Sequence, residues 1–220
     1  MFDHDAGDVT FEGVRIAVVG GGSRNWATTL IGDLALAGDM SGTVRLYDVD
    51  EESARTNARL GEQVQAREDA PGKWSYEAVG TLGDALDGAD FVVLSTQDPP
   101  AETFKHDLDV PAEYGIVQTV GDTVGPGGTV REHCPDAWVV NYTNPMTVCT
   151  RALYEEYPDV NAVGVCHEVY NVQSYLASLA KRHLGIDATT DAVDLDVTGI
   201  NHFTWLTGAR VGGRDLTPAI

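Results

Sequence analysis

Short apolar runs alternate with helical patterns along most of this chain, and the alternation limits the folds that it can adopt. Runs of strand length are predicted at Val14–Val19, Thr43–Tyr47, Ser75–Val79, Phe91–Leu94, Ala137–Val140 and Ala162–Val165. Apolar residues at helical spacing predict a helix at Ala27–Ala37. A longer, polar helix is predicted at Glu51–Arg67 and an amphipathic one at Val169–Leu184. Strands that alternate with helices become parallel neighbours joined by right-handed crossovers. The predicted fold class is therefore α/β, with a doubly wound parallel sheet.

The composition fits one large domain, or one domain with part of another. The chain has 220 residues, 43% of them apolar, which is enough to fill a core. Its longest apolar runs, such as Phe91–Leu94, are far shorter than a membrane span, and the acidic amino terminus does not resemble a signal peptide. Cys134, Cys149 and Cys166 form no close pair, which argues against a disulfide framework. We therefore expect a soluble, cytoplasmic protein with no membrane partner.

Acidic residues outnumber basic residues by a wide margin. The chain has 34 Asp and Glu against 14 Lys and Arg, a formal net charge of −20, and the acids are spread along the sequence. Such a surface repels nucleic acid and anionic membranes. At molar salt the Debye length falls to about 3 Å, so that repulsion within the acidic surface largely vanishes. We therefore predict a halophilic protein, adapted to a salty cytoplasm, with no nucleic acid partner.

A glycine-rich segment follows the first predicted strand and precedes the first predicted helix. Its residues are Gly20, Gly21, Gly22, Ser23 and Arg24. Glycines at such a turn let the backbone approach a pyrophosphate, and the helix N-terminus adds N–H donors. The third glycine of the usual dinucleotide fingerprint is missing, since Trp26 and Ala27 stand where it would end. The position between strand and helix nevertheless predicts a Rossmann-type dinucleotide site.

The second predicted strand ends in a carboxylate that fits such a site. Asp48 lies where an acidic residue accepts hydrogen bonds from the ribose hydroxyls, and its charge disfavours the 2′-phosphate of NADP. NAD is therefore the predicted cofactor. The alternative is a tight turn and a surface acid in some other doubly wound protein.

Polar residues follow the fourth and fifth predicted strands, at the edge where open parallel sheets bind ligands. Ser95–Asp98 follow the fourth strand, and we assign Thr96 to the cofactor site. Asn144 is held extended before Pro145, so that its amide is predicted to face the same cleft and bind a sugar hydroxyl; its alternative role is to cap the following helix. A glycine-rich loop at 114–128 is either functional or a flexible surface insertion.

Two segments further along the chain carry residues that bind metals. Cys166 offers a thiolate, and His202 offers an imidazole. A single Cys or His in an apolar stretch more often packs than binds metal. Their place downstream of a dinucleotide site predicts an enzyme that holds both a divalent metal and a nicotinamide.

Taken in order, these segments resemble glycoside hydrolase family 4. The matching residues are Gly20–Ser23, Gly121–Thr123, Gly125–Gly128, Thr143–Pro145, Cys166–His167 and Asn201–His202. The resemblance runs from about Val14 to Trp205 and implies a lactate/malate-dehydrogenase-like fold, with NAD and Mn²⁺ as cofactors. The pair Cys166–His167 is similar to the α-galactosidase and α-galacturonidase branches. The run Cys166–Tyr170 and the Gly-Pro-Gly-Gly loop are most similar to the α-galacturonidases.

The resemblance implies hydrolysis of a sugar glycoside with no net redox change. Bound NAD oxidises the C3 hydroxyl, manganese polarises the oxygens at C2 and C3, and a base removes the C2 proton. The aglycone leaves by elimination, water adds, and the hydride returns to C3. By the family pattern Cys166 and His202 bind Mn²⁺ and Asn144 contacts the sugar near the metal. His167 is the implied acid for the leaving group.

The family also sets an expectation about length, because its members are longer and their tyrosine base lies in the part that would follow Ile220. We predict a loose arm at 1–12, an NAD-binding domain at 13–192 and the start of a second domain at 193–220, entered through a hairpin at Gly208–Asp215. The expectation is an incomplete chain that binds NAD weakly and turns over little. Spacing supports neither Tyr142 nor Tyr170 as a substitute base. The full-length family implies a homo-oligomer.

Two other function classes remain open at this point. A hydroxy-acid dehydrogenase of the same fold would form NADH stoichiometrically and need no metal. That class normally has an arginine-rich substrate loop, whereas Arg131 is the only Lys or Arg between Lys105 and Arg151. The other alternative is a non-catalytic NAD-binding protein.

Overall fold

The structure is a computed structural model and describes residues 10–96, Glu113 and residues 127–217. The strands in these ranges are β1 (Phe11–Val19), β2 (Met40–Tyr47), β3 (Lys73–Ala78), β4 (Phe91–Leu94), β5 (Trp138–Asn141), β6 (Asn161–Gly164), β7 (Val193–Ile200), β8 (Phe203–Val211) and β9 (Arg214–Asp215). The α-helices are α1 (Trp26–Leu36), α2 (Glu51–Gln65), α3 (Leu82–Leu86), α4 (Gly127–His133), α5 (Met146–Glu156) and α6 (Glu168–Leu184). A 3-10 turn at Thr190–Ala192 precedes β7.

Strands β1 to β6 form one parallel sheet in the order β3-β2-β1-β4-β5-β6. At the centre, Ala17 of β1 lies between Arg45 of β2 and Val92 of β4. The strand order reverses at β1, and open sheets of this kind bind ligands at that point, beyond the carboxyl ends of the strands. The predicted doubly wound parallel sheet is confirmed.

Apolar residues fill both faces of this sheet. In β1, Ala17 and Val19 pack with α3, α4 and α5, while Ile16 and Val18 pack with α1 and α2. Alternate residues of a strand point to opposite faces, so a strand covered on both sides must be apolar throughout. This explains why β1, with residues buried on both faces, is visible in the sequence as a short continuous apolar run.

The element bounds differ from the predicted ones in ways that have local causes. Strand β1 starts at Phe11, before the apolar run at Val14. Its pairing with β2 shifts register between Phe11 and Val14, near Gly13, so the first residues lie outside the apolar run that the sequence shows. The predicted bounds of β4 are the observed ones. Helices α3 and α4 have five and seven residues, too short to show a helical period in the sequence.

The second sheet is antiparallel and contains β7, β8 and β9. Strands β7 and β8 meet at Asn201 and His202, which form a two-residue turn between the paired Ile200 and Phe203. Helix α6 packs on this sheet through a small core, made by Ala177, Ala180, Val193 and Val211. The hairpin predicted at Gly208–Asp215 is confirmed as the β8–β9 pair, with Val211 opposite Arg214.

Within the described ranges, no helix combines the length and the apolar character that a membrane crossing requires.

Candidate functional site

The glycine-rich turn after β1 is packed so tightly that side chains do not fit. Gly20 has φ +93°, and a Cβ there would lie 1.9 Å from the carbonyl oxygen of Ser95. A Cβ on Gly22 would lie 2.8 Å from both Asp48 Oδ2 and Ser53 Cβ. The backbone N–H groups of Gly20 and Gly21 both donate to the carbonyl of Tyr47, each at 2.9 Å. These contacts draw the turn down onto the ends of β2 and β4, where a pyrophosphate can approach the backbone.

Asp48 lies directly beside this turn. Its Oδ2 accepts the Gly22 N–H at 2.8 Å, and its Oδ1 accepts the Asp50 N–H at 2.9 Å. Each carboxylate oxygen has a further lone pair for a ligand hydroxyl. The carboxylate can therefore accept further hydrogen bonds, and a ribose contact by Asp48 stays a prediction.

Ser23 and Arg24, the other two predicted cofactor residues of the glycine-rich segment, differ in their surroundings. Ser23 Oγ accepts the Trp26 N–H at 3.1 Å, at the start of α1, and Arg24 is exposed. Ala27, near the place of the missing third glycine, is 2% exposed. A small side chain there keeps α1 close to the sheet, which is the packing task of the third glycine in the usual fingerprint.

Asn57 contacts the backbone of the glycine-rich turn, a role that the sequence analysis did not predict. Asn57 is 7% exposed, and its Nδ2 donates to the carbonyls of Gly21 at 2.8 Å and Ser23 at 3.0 Å. It lies on the buried stripe of α2 that also contains Ala54 and Ala58. A polar residue on an otherwise small and apolar stripe was the available signal, because buried amides need partners.

The ends of β4 and β5 are joined by two threonines. Thr143 Oγ1 accepts the Thr96 N–H at 3.0 Å and lies 3.2 Å from Thr96 Oγ1. Both residues lie at the carboxyl edge of the sheet, as predicted for Thr96. The two hydroxyls are hydrogen-bonded to each other. A cofactor contact by Thr96 stays a prediction. Gln97, Asp98 and most of the glycine-rich loop, residues 114–126, lie outside the described residues.

Asn144 contacts the backbone just before α5. Its Oδ1 accepts the Met146 N–H at 3.3 Å, and the N-cap position of the helix is occupied by Pro145, without a side-chain cap. The Asn144–Pro145 peptide bond is cis. Among the described residues, no acceptor is found for the Asn144 Nδ2 group, so that sugar binding by Asn144 stays a prediction.

Cys166 and His202 come together from distant parts of the chain. Cys166 precedes α6, His202 lies in the β7–β8 turn, and Sγ and Nε2 are 3.4 Å apart. A thiolate and an imidazole that share a divalent ion such as zinc lie about 2.3 and about 2.1 Å from it, which separates the donors by about 3.1–3.6 Å at octahedral or tetrahedral angles. The observed spacing therefore fits two ligands of one ion.

The protein supplies an incomplete ligand shell at this place. Within the described ranges, no group of three or more His, Cys, Asp or Glu side chains is placed to hold a metal. A two-donor site leaves coordination positions for water or for substrate oxygens, which suits a catalytic rather than a structural ion. The fit is good for a divalent ion that also takes oxygen ligands.

His167 lies between the metal pair and the dinucleotide turn. It is exposed at the start of α6, and its ring meets the Trp26 ring edge-on at 5.1 Å between centroids. The Trp26 ring also contacts Tyr142, with centroids 4.9 Å apart. Trp26 thus connects the start of α1 to the end of β5 and to the Cys166–His167 segment, a role that the sequence patterns did not indicate.

The two tyrosines considered as bases gain no support. Burial raises the pKa of Tyr142, and the nearby negative charge of Asp33 raises it further. Both effects disfavour the phenolate that a base requires. Tyr170 is 57% exposed on α6.

Comparison with known proteins extends these observations. Residues 15–182 match a model described as family 4 glycosyl hydrolase. The α-galacturonidases of Thermoanaerobacterium saccharolyticum and Bacillus subtilis are 46% and 42% identical to the chain. The alignments cover 92% and 95% of this chain and 47% and 50% of the relatives. The chain therefore spans about half the length of the curated relatives that it matches.

Solved structures share the fold of this chain over about half of their own length. The crystal structure of lplD from Bacillus subtilis has a TM-score of 0.78 and 41% identity, covering 94% of this chain and 51% of that one. A 6-phospho-β-glucosidase of Thermotoga maritima, with manganese, NAD⁺ and glucose-6-phosphate, has a TM-score of 0.70 at 24% identity, covering 94% and 53%.

A lactate dehydrogenase of Eimeria maxima shares the fold at lower identity. Its TM-score is 0.64 at 19% identity, covering 94% of this chain and 60% of the dehydrogenase. This likeness confirms the predicted lactate/malate-dehydrogenase-like fold. The family match, over residues 15–182, shows that the chain belongs to glycosyl hydrolase family 4.

Proposed function

We propose that this chain forms the NAD- and Mn²⁺-binding part of an enzyme that hydrolyses α-galacturonides. The observation that carries the proposal is the 3.4 Å approach of Cys166 Sγ to His202 Nε2. The family membership gives that pair a context, and the α-galacturonidase relatives at 42–46% identity support the substrate class. Manganese and NAD⁺ bound in the Thermotoga maritima relative support the two cofactors.

NAD would be held at the carboxyl edge of the parallel sheet. The turn Gly20–Gly22 would approach the pyrophosphate, and the N-terminus of α1 would supply N–H groups and the positive end of the helix dipole. Asp48 would accept hydrogen bonds from the ribose. When bound there, NAD supplies a reversible hydride acceptor for a sugar carbon.

Mn²⁺ would be held by Cys166 and His202. When bound there, the ion supplies a Lewis acid for sugar oxygens. Nitrogen and sulfur donors alone favour softer metals, but substrate oxygens in the remaining positions suit manganese. Two protein ligands would leave coordination positions for substrate oxygens.

The residues around this pair would handle protons and orient the sugar. His167 follows Cys166 directly and is exposed, so that it can reach a leaving-group oxygen near the metal pair and donate a proton to it. Asn144 Nδ2 would donate to a sugar hydroxyl while its Oδ1 remains on the Met146 N–H. Trp26 would hold the His167 ring by their edge-on contact.

Metal titration tests the proposed site. Free Mn²⁺ is followed by electron paramagnetic resonance in the wild-type chain and in Cys166→Ser, His202→Ala and His183→Ala variants. His183 is exposed near the end of α6 and serves as the matched histidine control. We expect each site variant to lose about tenfold or more in affinity, equivalent to at least about 1.4 kcal/mol, and the control to match the wild type. Unchanged binding in both site variants would refute a joint site.

Turnover tests the reaction. A nitrophenyl α-galacturonide is supplied with NAD and Mn²⁺, and both nitrophenol and NADH are measured. The proposal requires that any hydrolysis depend on both cofactors and release no net NADH. Stoichiometric NADH that persists after chelation would indicate a hydroxy-acid dehydrogenase instead. Hydrolysis by this chain by itself would place the base among its own 220 residues.

The net charge supports a proposal about the setting in which the protein works. With a net charge of −20, the chain suits a cytoplasm of high salt, where its acidic groups are screened. Assembly into a homo-oligomer is likewise proposed from the family alone.

A further inference from the structure

Glu168 contacts both members of the Cys166–His202 pair. Its backbone N–H donates to Cys166 Sγ at 3.4 Å. Its Oε2 accepts the backbone N–H of His202 at 3.2 Å and the hydroxyl of Thr204 at 3.0 Å. Apart from the pair itself, Glu168 is the described residue with hydrogen bonds to both Cys166 and His202.

The contact to His202 meets a conformational need. His202 has φ +58°, and among the described non-glycine residues it is the only one with a positive φ. Non-glycine residues rarely adopt this left-handed backbone region, and they keep it only where contacts with the surrounding structure stabilise it. Because the turn has two residues, a change in this backbone angle would swing the imidazole away from Cys166.

The direction of the Glu168 side chain is set by α6. Glu168 lies in the first turn of the helix, where the positive end of the dipole favours a carboxylate. Thr204 is the second residue of β8, and its hydroxyl donates to Glu168 Oε2, the oxygen that also accepts the His202 N–H. Glu168 Oε2 therefore connects α6 to both the β7–β8 turn and the start of β8.

We propose that Glu168 is the positioning residue of the metal site: it fixes His202 in the left-handed turn so that the imidazole faces the thiolate. This inference rests on the proposed metal site and adds a residue to it. The carboxylate acts through the His202 backbone rather than as a ligand: within the described ranges it does not form a three-residue metal-binding group with Cys166 and His202, and its Oε2 accepts two hydrogen bonds. An acceptor at this place is what the turn needs, so an amide oxygen would serve as well as a carboxylate.

The test compares Glu168→Gln with Glu168→Ala in the whole chain. Glutamine keeps an oxygen that accepts both donors, whereas alanine keeps only the backbone N–H. Removing a residue that orients a metal ligand typically lowers metal affinity about 10–100-fold, and we expect that loss of Mn²⁺ affinity for Glu168→Ala. Glu168→Gln should stay within about threefold of the wild type. Glu155→Ala, an exposed carboxylate of α5, is the matched control.

Hydrogen exchange of the His202 amide in metal-free protein gives a second measurement. It should accelerate in Glu168→Ala and remain slow in Glu168→Gln, because only alanine removes the acceptor. Melting temperatures measured in parallel show whether each variant is folded.

The outcomes separate this inference from the proposed function. A wild-type chain that binds no Mn²⁺ would overturn the metal site together with the role of Glu168 in it. Wild-type binding with equal affinity in Glu168→Ala would overturn the role of Glu168 alone. Equal loss in Glu168→Gln and Glu168→Ala would overturn positioning in favour of direct ligation by the carboxylate.

Discussion

The carboxylate of Asp48 accepts the backbone N–H of Gly22 at 2.8 Å, across a sequence separation of 26 residues. The same oxygen would lie 2.8 Å from a Cβ on Gly22. A residue that fits the predicted ribose site thus also shapes the predicted pyrophosphate site. Changes in the turn should therefore affect NAD binding through both parts of the cofactor.

Gly22→Ala should weaken NAD binding. The new methyl group would push Asp48 and Ser53 away, and we expect about a tenfold loss of affinity, equivalent to about 1.4 kcal/mol. Gly32→Ala is the control, because a Cβ at Gly32 in α1 meets nothing within 4 Å. That variant should raise the free energy of unfolding by up to about 1 kcal/mol. Calorimetric NAD titration and urea unfolding measure the two effects; NAD affinity unchanged by Gly22→Ala would contradict the assignment of the turn.

Asn57→Ala should destabilise the protein and also weaken NAD binding. The carbonyls of Gly21 and Ser23 lose their Asn57 donor, and unsatisfied buried polar groups cost about 1–3 kcal/mol. Asn161→Ala is the matched control, since Asn161 is exposed and its amide lies 3.5 Å from its acceptor. Its effect should stay within about 0.5 kcal/mol. Equal urea midpoints for the two variants would show that the Asn57 bonds contribute little.

Tyr76→Phe should stabilise the protein and flatten its response to alkaline pH. The Tyr76 hydroxyl is buried and has no described hydrogen-bond partner, so its removal should gain about 1 kcal/mol. Burial raises the pKa of Tyr76 to about 12 from 10.0, with the negative charge of Glu62 as a smaller cause. A raised folded-state pKa gives a stability contribution that is complete below the unfolded value and lost as pH rises from about 10 to about 12.

Unfolding free energies measured across that pH window check the sign. The wild type should lose stability more steeply than Tyr76→Phe as the pH rises, because the unfolded tyrosine releases its proton first. Parallel slopes would contradict the shifted pKa.

The melting temperature should rise as KCl is increased toward about 1 M, where the Debye length is about 3 Å. Salt screens the repulsion among the 34 acidic residues and also weakens the exposed ion pairs. We expect the first effect on stability to be the larger one. Sucrose at matched osmolality is the control for effects other than screening. A melting temperature that falls with KCl would refute the proposed adaptation to salt.

Apolar runs were sufficient to predict the parallel sheet. Strand β4 was predicted with its observed bounds because its four residues form an uninterrupted apolar run, in which Val92 and Leu94 are buried. Helices α3 and α4 were missed because one or two turns carry too little periodicity. Phe11 was missed because the irregularity near Gly13 separates it from the apolar part of β1.

The candidate site could be predicted only in part. The dinucleotide turn and Asp48 follow from their places after strands, which are local features. The approach of Cys166 to His202 depends on how a hairpin folds back onto α6. The sequence indicated it only through the place of the two residues downstream of a dinucleotide segment and through the family resemblance. Glu168 left no signal, because a glutamate in the first turn of a helix is common for electrostatic reasons alone.

The placement of Cys166 and His202 has a consequence for unfolding. Cys166 follows the last strand of the parallel sheet, and His202 belongs to the antiparallel one. An ion held by both residues would cross-link the two sheets, and binding to the folded state alone raises stability in proportion to the logarithm of ion concentration. Addition of a chelator should then loosen the hairpin of β7 and β8 before the parallel sheet, whose strands pair without any metal.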